Sequence, residues 1–299
     1  MTVSNLPYFL PSIAENLTEE TSCQLAQKIQ QIPLETSLSD TPINTTYVQE
    51  GTGKTPILLL HGFDSSLMEF RRLLPQLSTE KEIWATDFFG FGLTERPQEI
   101  PVTPETIKAH LYSFWQQMIQ RPMILLGASM GGAVAIDFAL TYPETVETLV
   151  LLDSAGMAGG PAMGKLIIPP LDRLATAFLG NPKVRQKISE NAYYNRALAS
   201  EDALTCSMLH LKYPGWARAL ISFTKSGGYN FLSNKINNIT QPTLIIWGER
   251  DQILGTKDAP QFEATIPDSK LVWIPESGHV PHLEKSDLTA KAISEFLNN

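Results

Sequence analysis

The 299-residue chain has only two cysteines, no run of lysines or arginines, and no apolar stretch approaching the roughly 18 residues that mark a membrane-spanning helix. Cys23 and Cys206 lie far apart and lack metal-ligand spacing, which excludes a disulfide framework and a thiolate metal cluster. Positive charge is scarce: 23 Lys and Arg face 31 Asp and Glu, for a formal net charge of -8. Such a chain has no basic field for gathering phosphates, so nucleic acid is not expected as a partner. The opening "MTVSNLPYFLPSIAENL" has neither a basic start nor a continuous apolar run, so it does not read as a secretory signal. A cytoplasmic, reducing location without an integral membrane span is expected, and the Asn-x-Thr matches at Asn16, Asn44 and Asn238 then carry no meaning. No internal repeat or low-complexity tract is visible. "GTGKT" lacks the first glycine of a phosphate loop, since Val48 stands there, and it precedes a strand instead of joining strand to helix.

What the sequence does contain is a series of short apolar runs closed by Gly, Asp or Pro: "TPILLLHGF", "EIWATDFFGFG", "RPMILLGAS", "VETLVLLDSAG", "QPTLIIWGERD" and "SKLVWIPESGH". Runs of four to six apolar residues without alternation predict strands buried on both faces. Helical patterns lie between several of them: "SSLMEFRRLLPQL", "PETIKAHLYSFWQQMI" and "MGGAVAIDFALTYP". The alternation predicts an α/β fold with a mostly parallel central sheet flanked by helices. Residues 1–44, with the helical stretch "LTEETSCQLAQKIQQI" opened by Thr18, are expected to form an N-terminal helical extension. Residues 45–156 and 239–299 then form the core. The strand signal stops over residues 157–238, which predicts an inserted helical cap.

In "GASMG" a buried strand must turn into a helix within about two residues at Ser129. Such a turn strains the serine backbone and leaves no room for side chains two residues before and after it, which Gly127 and Gly131 satisfy. The turn holds the hydroxyl above the strand's C-terminal end and beside a helix N-terminus. These features predict a nucleophile. A serine needs a base, and the base an orienting acid. Of five histidines, His279 follows the last strand at the same sheet edge, with Gly278 beside it, and is the expected base. His282 is expected to pack on the rim, His110 and His210 to be packing or surface residues, and His61 to support its loop. Asp251, in the loop after "LIIWG", is the expected acid. Asp153, one strand earlier, is its rival, and Glu249 is read as a loop residue. The order Ser129, Asp251, His279 fits a triad of this type. The N–H groups of Phe63, freed by Gly62, and of Met130 are the expected oxyanion donors. Gly90, Gly92 and Asp87 are read as shaping a loop beside the pocket.

With these residues assigned, the chain resembles the α/β-hydrolase superfamily. HGF, GASMGG, WGERD and ESGH carry the resemblance over residues 46–297. "DSSLMEFRR", "RPMILLGASMGGAVAIDFA" and "YPGWARALISFTKSGGYN" are similar to a branch of hydrolases from cyanobacteria and chloroplasts. Chlorophyll dephytylases and pheophytinases share that fold and a serine triad, so the resemblance brings phytyl and other long-chain esters into consideration. Serine at position 129 argues against haloalkane dehalogenases and epoxide hydrolases, which resemble this chain but use aspartate there.

The expected function is cleavage of a hydrophobic carboxylic ester through an acyl-enzyme on Ser129, without metal or organic cofactor. Met157, Met163, Leu166, Ile167, Tyr193, Tyr194, Met208, Trp216 and Phe223 are the expected apolar roof in the cap. Three alternatives remain open. A carbon–carbon bond hydrolase would want a cationic anchor such as Arg173, Arg185 or Arg196. The others are a cofactor-free haloperoxidase-like activity and a non-catalytic ligand receptor. Oligomeric state is not legible.

Overall fold

The computed structural model describes residues 5–157 and 169–298. In chain order its strands are β1 (Gln30–Thr36), β2 (Ser39–Glu50), β3 (Ile57–Leu60), β4 (Ile83–Thr86), β5 (Met123–Ala128), β6 (Val146–Leu152), β7 (Thr243–Gly248) and β8 (Ser269–Ile274). The helices are α1 (Glu20–Lys28), α2 (Leu74–Leu77), α3 (Pro104–Phe114), α4 (Met130–Thr141), α5 (Leu171–Leu179), α6 (Pro182–Ala192), α7 (Glu201–Met208), α8 (Trp216–Ser226), α9 (Asp258–Thr265), α10 (Pro281–Glu284) and α11 (Ser286–Leu297). The sheet runs β1-β2-β4-β3-β5-β6-β7-β8, antiparallel from β1 through β4 and parallel from there on.

The unbroken apolar runs have a direct cause in the layers on either side of the sheet. Leu58, Leu60, Leu125, Leu149, Leu151 and Ile245 enter one core with Phe114 of α3 and Val134 and Phe138 of α4. Their chain neighbours Ile57, Leu59, Ile124, Leu126, Val150, Leu152, Leu244 and Ile246 enter the other, with Leu25 of α1, Leu74 of α2 and Ile293 of α11. Each such fully buried side chain contributes roughly 1.5–3 kcal/mol. The edge strand β8 departs from the expectation: it is half exposed, because no further strand covers it.

A second departure concerns residues 1–44. Among the described residues a 3-10 turn at Ser12–Asn16 and α1 keep the start of the extension helical; residues 30–36 and 39–50 form an antiparallel hairpin that continues the sheet. The hairpin carries polar residues on its exposed positions and only Leu34 and Ile43 as early core contacts, so its apolar signal is sparse. Helix α1 is not capped by Thr18. Asp202 of α7 accepts from the N–H groups of Thr18 (2.6 Å) and Glu19 (2.8 Å) and from Ser22 Oγ (2.5 Å), so the segment before β1 docks on the inserted helices. A carboxylate there meets free N–H groups and the positive end of the helix dipole. The pattern "SSLMEFRRLLPQL" is a 3-10 turn at Leu67–Phe70 followed by the short α2, not one helix. Helices α5 to α8 all fall between β6 and β7.

Candidate active site

Ser129 separates β5 from α4 with φ 52° and ψ -117°, a left-handed backbone that costs a non-glycine residue about 1–3 kcal/mol. The flanking glycines permit it. A Cβ on Gly127 would lie 2.2 Å from the Gly131 carbonyl oxygen, and one on Gly131 would lie 2.0 Å from that of Leu60. Both obstacles are backbone and cannot yield. The Ser129 N–H donates to the Leu152 carbonyl at 2.9 Å and its carbonyl accepts from Ala155 at 3.0 Å, which ties the turn to the end of β6.

Ser129 Oγ donates to His279 Nε2 at 3.0 Å, and His279 Nδ1 donates to Asp251 Oδ2 at 2.9 Å. The other oxygen of Asp251 accepts from Ile253 (2.7 Å) and Leu254 (3.1 Å), so its carboxylate is held from both sides. The structure therefore brings together the three residues expected from sequence, and Asp251, not its rival Asp153, meets the imidazole. Asp153 lies fully buried next to them, with Oδ1 accepting from the Gly248 N–H at 3.0 Å. Burial, then the negative charge of Asp251, pushes its carboxyl well above the usual range and favours the protonated form. Asp153, Asp251 and His279 are grouped closely enough to suggest a metal site, with ligand atoms within 4.8 Å of one another. The donors of Asp251 and His279 are already committed to each other and to backbone amides, which is a poor fit to a resident ion.

The loop after β3 passes directly against the serine: a Cβ on Gly62 would meet Ser129 Cβ at 3.4 Å. Met130 opens α4, where first-turn N–H groups have no intrahelical acceptor. Phe63 and Gly62 line the same pocket as Ser129. Three buried groups hold this loop. His61 Nδ1 donates to the Gly62 carbonyl at 2.8 Å, with burial lowering the His61 pKa to about 4. Glu69 accepts from the Gly62 N–H at 2.8 Å and from His282 Nε2 at 3.1 Å. Burial alone would raise the Glu69 carboxyl, but these hydrogen bonds outweigh it and hold it at about 2. Asp64 takes Trp216 Nε1 at 2.7 Å, His210 Nε2 at 3.0 Å and an ion pair with Arg185, so three side chains from the α6–α8 region converge on the residue following Phe63. Asp87 accepts from Leu67 (2.6 Å) and Leu93 (2.7 Å), joining the β3 and β4 loops, and a Cβ on Gly92 would strike its carboxyl.

Sequence reasoning gave His282 and His210 their packing roles but missed Glu69 and Asp64. Only the tertiary fold shows that both carboxylates turn inward against those histidines. "GTGKT" is the connection between β2 and β3, as expected of a turn.

The pocket above Ser129 has a volume of about 290 Å³ and is lined mainly by apolar groups. Helix α6 and the residue after it supply Ile188, Ala192 and Tyr193; α7 supplies Ala203 and Cys206. The α6 C-terminus packs on His279: the His279 N–H donates to the Ala192 carbonyl at 2.7 Å, and a Cβ on Gly278 would meet that oxygen at 2.2 Å. Of the expected roof, Tyr193 lines this pocket. Phe223 and Met157 join the core cluster, Trp216 turns its indole to Asp64, Met208 is buried outside the pocket, and Tyr194 is exposed. Met163, Leu166 and Ile167 fall outside the described residues. Aromatic and methionine content marked the segment as apolar but not which helical face meets Ser129. Arg185 lines the pocket with its charge committed to Asp64, while Arg173 and Arg196 are exposed. Arg71 forms part of the wall, buried, with Nε and Nη2 lacking hydrogen-bond partners among the described residues and Glu19 4.0 Å away.

Comparison with known proteins agrees with this architecture. The chain is 32% identical over 297 residues to the alpha/beta hydrolase domain-containing protein VTE7 of Arabidopsis thaliana, covering 97% of this chain and 90% of that protein. It is 26% identical to the 2-hydroxy-6-oxo-2,4-heptadienoate hydrolase of Pseudomonas putida, over 85% of this chain and 93% of the relative. Among solved structures, a thermophilic esterase from Thermogutta terrifontis superposes with a TM-score of 0.75 at 23% identity, over 90% of this chain and 98% of the esterase, a likeness of fold. The family model for the alpha/beta hydrolase fold matches residues 55–286, and with that span and the VTE7 likeness the chain belongs to the α/β-hydrolase family.

Proposed function

We propose that the protein is a serine hydrolase that cleaves hydrophobic carboxylic esters through an acyl-enzyme on Ser129. The observation that carries this reading is the continuous Ser129–His279–Asp251 hydrogen-bond chain at the floor of an apolar pocket. His279 takes the Ser129 proton as Oγ attacks the ester carbonyl, and Asp251 holds the imidazole in the tautomer that leaves Nε2 free to accept it. The Phe63 and Met130 amides receive the negative charge on the former carbonyl oxygen. The proton on His279 passes to the departing alcohol, and water then repeats the sequence on the acyl-enzyme, restoring the Ser129 hydroxyl.

Residues 157–238 act as the cap in this reading, with α6 and α7 walling the acyl or alcohol pocket. The cavity lies at the lower end of the roughly 300–1,000 Å³ usual for ligand sites, which favours medium-length chains. A fluorophosphonate probe read by intact mass should add once to the wild-type protein and not at all to Ser129→Ala or His279→Ala. An adduct that persists in Ser129→Ala removes the mechanism. In a chain-length series of nitrophenyl esters, activity confined to acetyl esters contradicts the substrate class.

The buried Arg71 favours one second reading, a carbon–carbon bond hydrolase whose substrate carries a carboxylate, as the name of the Pseudomonas relative's substrate implies for that enzyme. Turnover of a 2-hydroxy-6-oxo-dienoate faster than of every neutral ester would select it.

A further inference from the structure

Helix α5 is amphipathic in the inverse sense. Its fully buried side chains are polar, Asp172 and Thr176, and Lys225 of α8 donates to Asp172 Oδ2 at 2.7 Å, while Leu179 at its end packs half-buried against the core. Its other large apolar side chains point out, with Leu171, Leu174 and Phe178 exposed to 58%, 61% and 62%. Spacings of three, four and seven residues set these three on one helical face. The Lys225–Asp172 ion pair, with only the carboxylate buried, ties the polar side of the helix to α8. Single exposed leucines are ordinary, whereas a contiguous apolar stripe over about two turns marks a contact surface.

Charge tells what kind of surface it meets. Residues 157–238 hold ten Lys and Arg against four Asp and Glu, while the rest of the chain holds 13 against 27. The net charge of -8 thus conceals a cap of +6 inserted into a body of -14. Arg173 on α5 itself, Lys183 and Lys187 on α6, and Arg196 just beyond it are exposed. Helix α6 follows α5 directly and is tied to it by Arg185 Nε donating to the Leu179 carbonyl at 2.9 Å.

We propose that the outer face of α5 docks the cap on an anionic lipid bilayer. Leu171, Leu174 and Phe178 enter the headgroup–acyl boundary, and the exposed cations of α5 and α6 meet the lipid phosphates. The acidic body is repelled by the same surface, which orients the molecule cap first. Ile188 of α6 is both exposed and part of the pocket wall, so the docked helix pair borders the cavity that receives a lipid-dissolved substrate.

The test is flotation of the full chain with vesicles of phosphatidylcholine alone and of phosphatidylcholine with added phosphatidylglycerol. The wild-type protein should float with the anionic vesicles, far less with the neutral ones, and progressively less as salt rises. Leu171→Ser/Leu174→Ser/Phe178→Ser should bind at least about tenfold more weakly while keeping its thermal midpoint and its activity on a soluble short ester. Arg173→Glu/Lys187→Glu should lose the preference for anionic lipid. Ser129→Ala should bind like wild type, so failure of docking and failure of the proposed chemistry are separately visible. The proposal is overturned if folded wild-type protein does not float, or if the triple variant floats equally well. It is also overturned if the face instead mediates a concentration-dependent dimer that the triple variant abolishes.

Discussion

Substituting Glu69 by Gln tests whether the loop beside Ser129 is held electrostatically. The carboxyl is buried and its pKa drops from 4.5 to about 2 on folding, driven by the hydrogen bonds from His282 and Gly62 against the opposing effect of burial. At about 1.4 kcal/mol per pH unit, that depression corresponds to about 3 kcal/mol of stability at neutral pH. Because the folded pKa lies below the unfolded one, the contribution is complete above 4.5 and disappears as the pH falls toward 2. Glu69→Gln keeps the shape and one acceptor but removes the charge. Urea unfolding at neutral pH should show the variant less stable by about 2–3 kcal/mol, with the two curves converging in acid. Glu19, whose pKa is also held at about 2, is present in both proteins and cancels in the difference. Since Gly62 N–H is the group released, kcat for an ester should fall about tenfold to a hundredfold with KM nearly unchanged. A stability difference that is constant with pH, or a variant with wild-type kcat, refutes the reasoning.

Gly131→Ala places a Cβ 2.0 Å from a backbone oxygen and should abolish soluble expression or lower the thermal midpoint sharply, read by circular dichroism. Asp64→Ala strands the buried Arg185 guanidinium and should destabilise by about 3–5 kcal/mol in urea titration, with kcat falling along with stability. Asp202→Ala releases the start of α1 and should cost about 1–2 kcal/mol, with faster amide exchange confined to the residues before β1. Asp251→Asn should lower ester kcat by about 10⁴ with the fold intact, and a smaller loss would show that Asp153 substitutes for it.

How much of this could be read beforehand depends on whether a feature is local. Strands β3, β5, β6 and β7 are buried on both faces, so their apolar runs are continuous and stand out. The β1–β2 hairpin is mostly polar in sequence, with few apolar residues at its buried positions, and so reads as part of the extension. Ser129 was legible because its backbone strain demands glycines two residues away, and His279 and Asp251 because parallel strands deliver their C-terminal loops to one edge. Glu69 and Asp64 carry no local mark: an acidic residue in a loop looks solvated until a histidine 213 or 146 positions away closes on it.

The chain order and spacing of apolar runs, glycines, Ser129 and His279 were enough to determine the α/β layering and the meeting of Ser129 with His279, with Asp251 expected ahead of its rival Asp153. Those properties follow from backbone geometry, which repeats wherever the same local pattern occurs. Tertiary structure alone decided that Asp251 and not Asp153 holds the imidazole, that Asp202 caps α1, and that α5 turns Leu171 and Leu174 outward. Each of these depends on which side chains from distant segments come within hydrogen-bonding distance, and one sequence carries no local record of that.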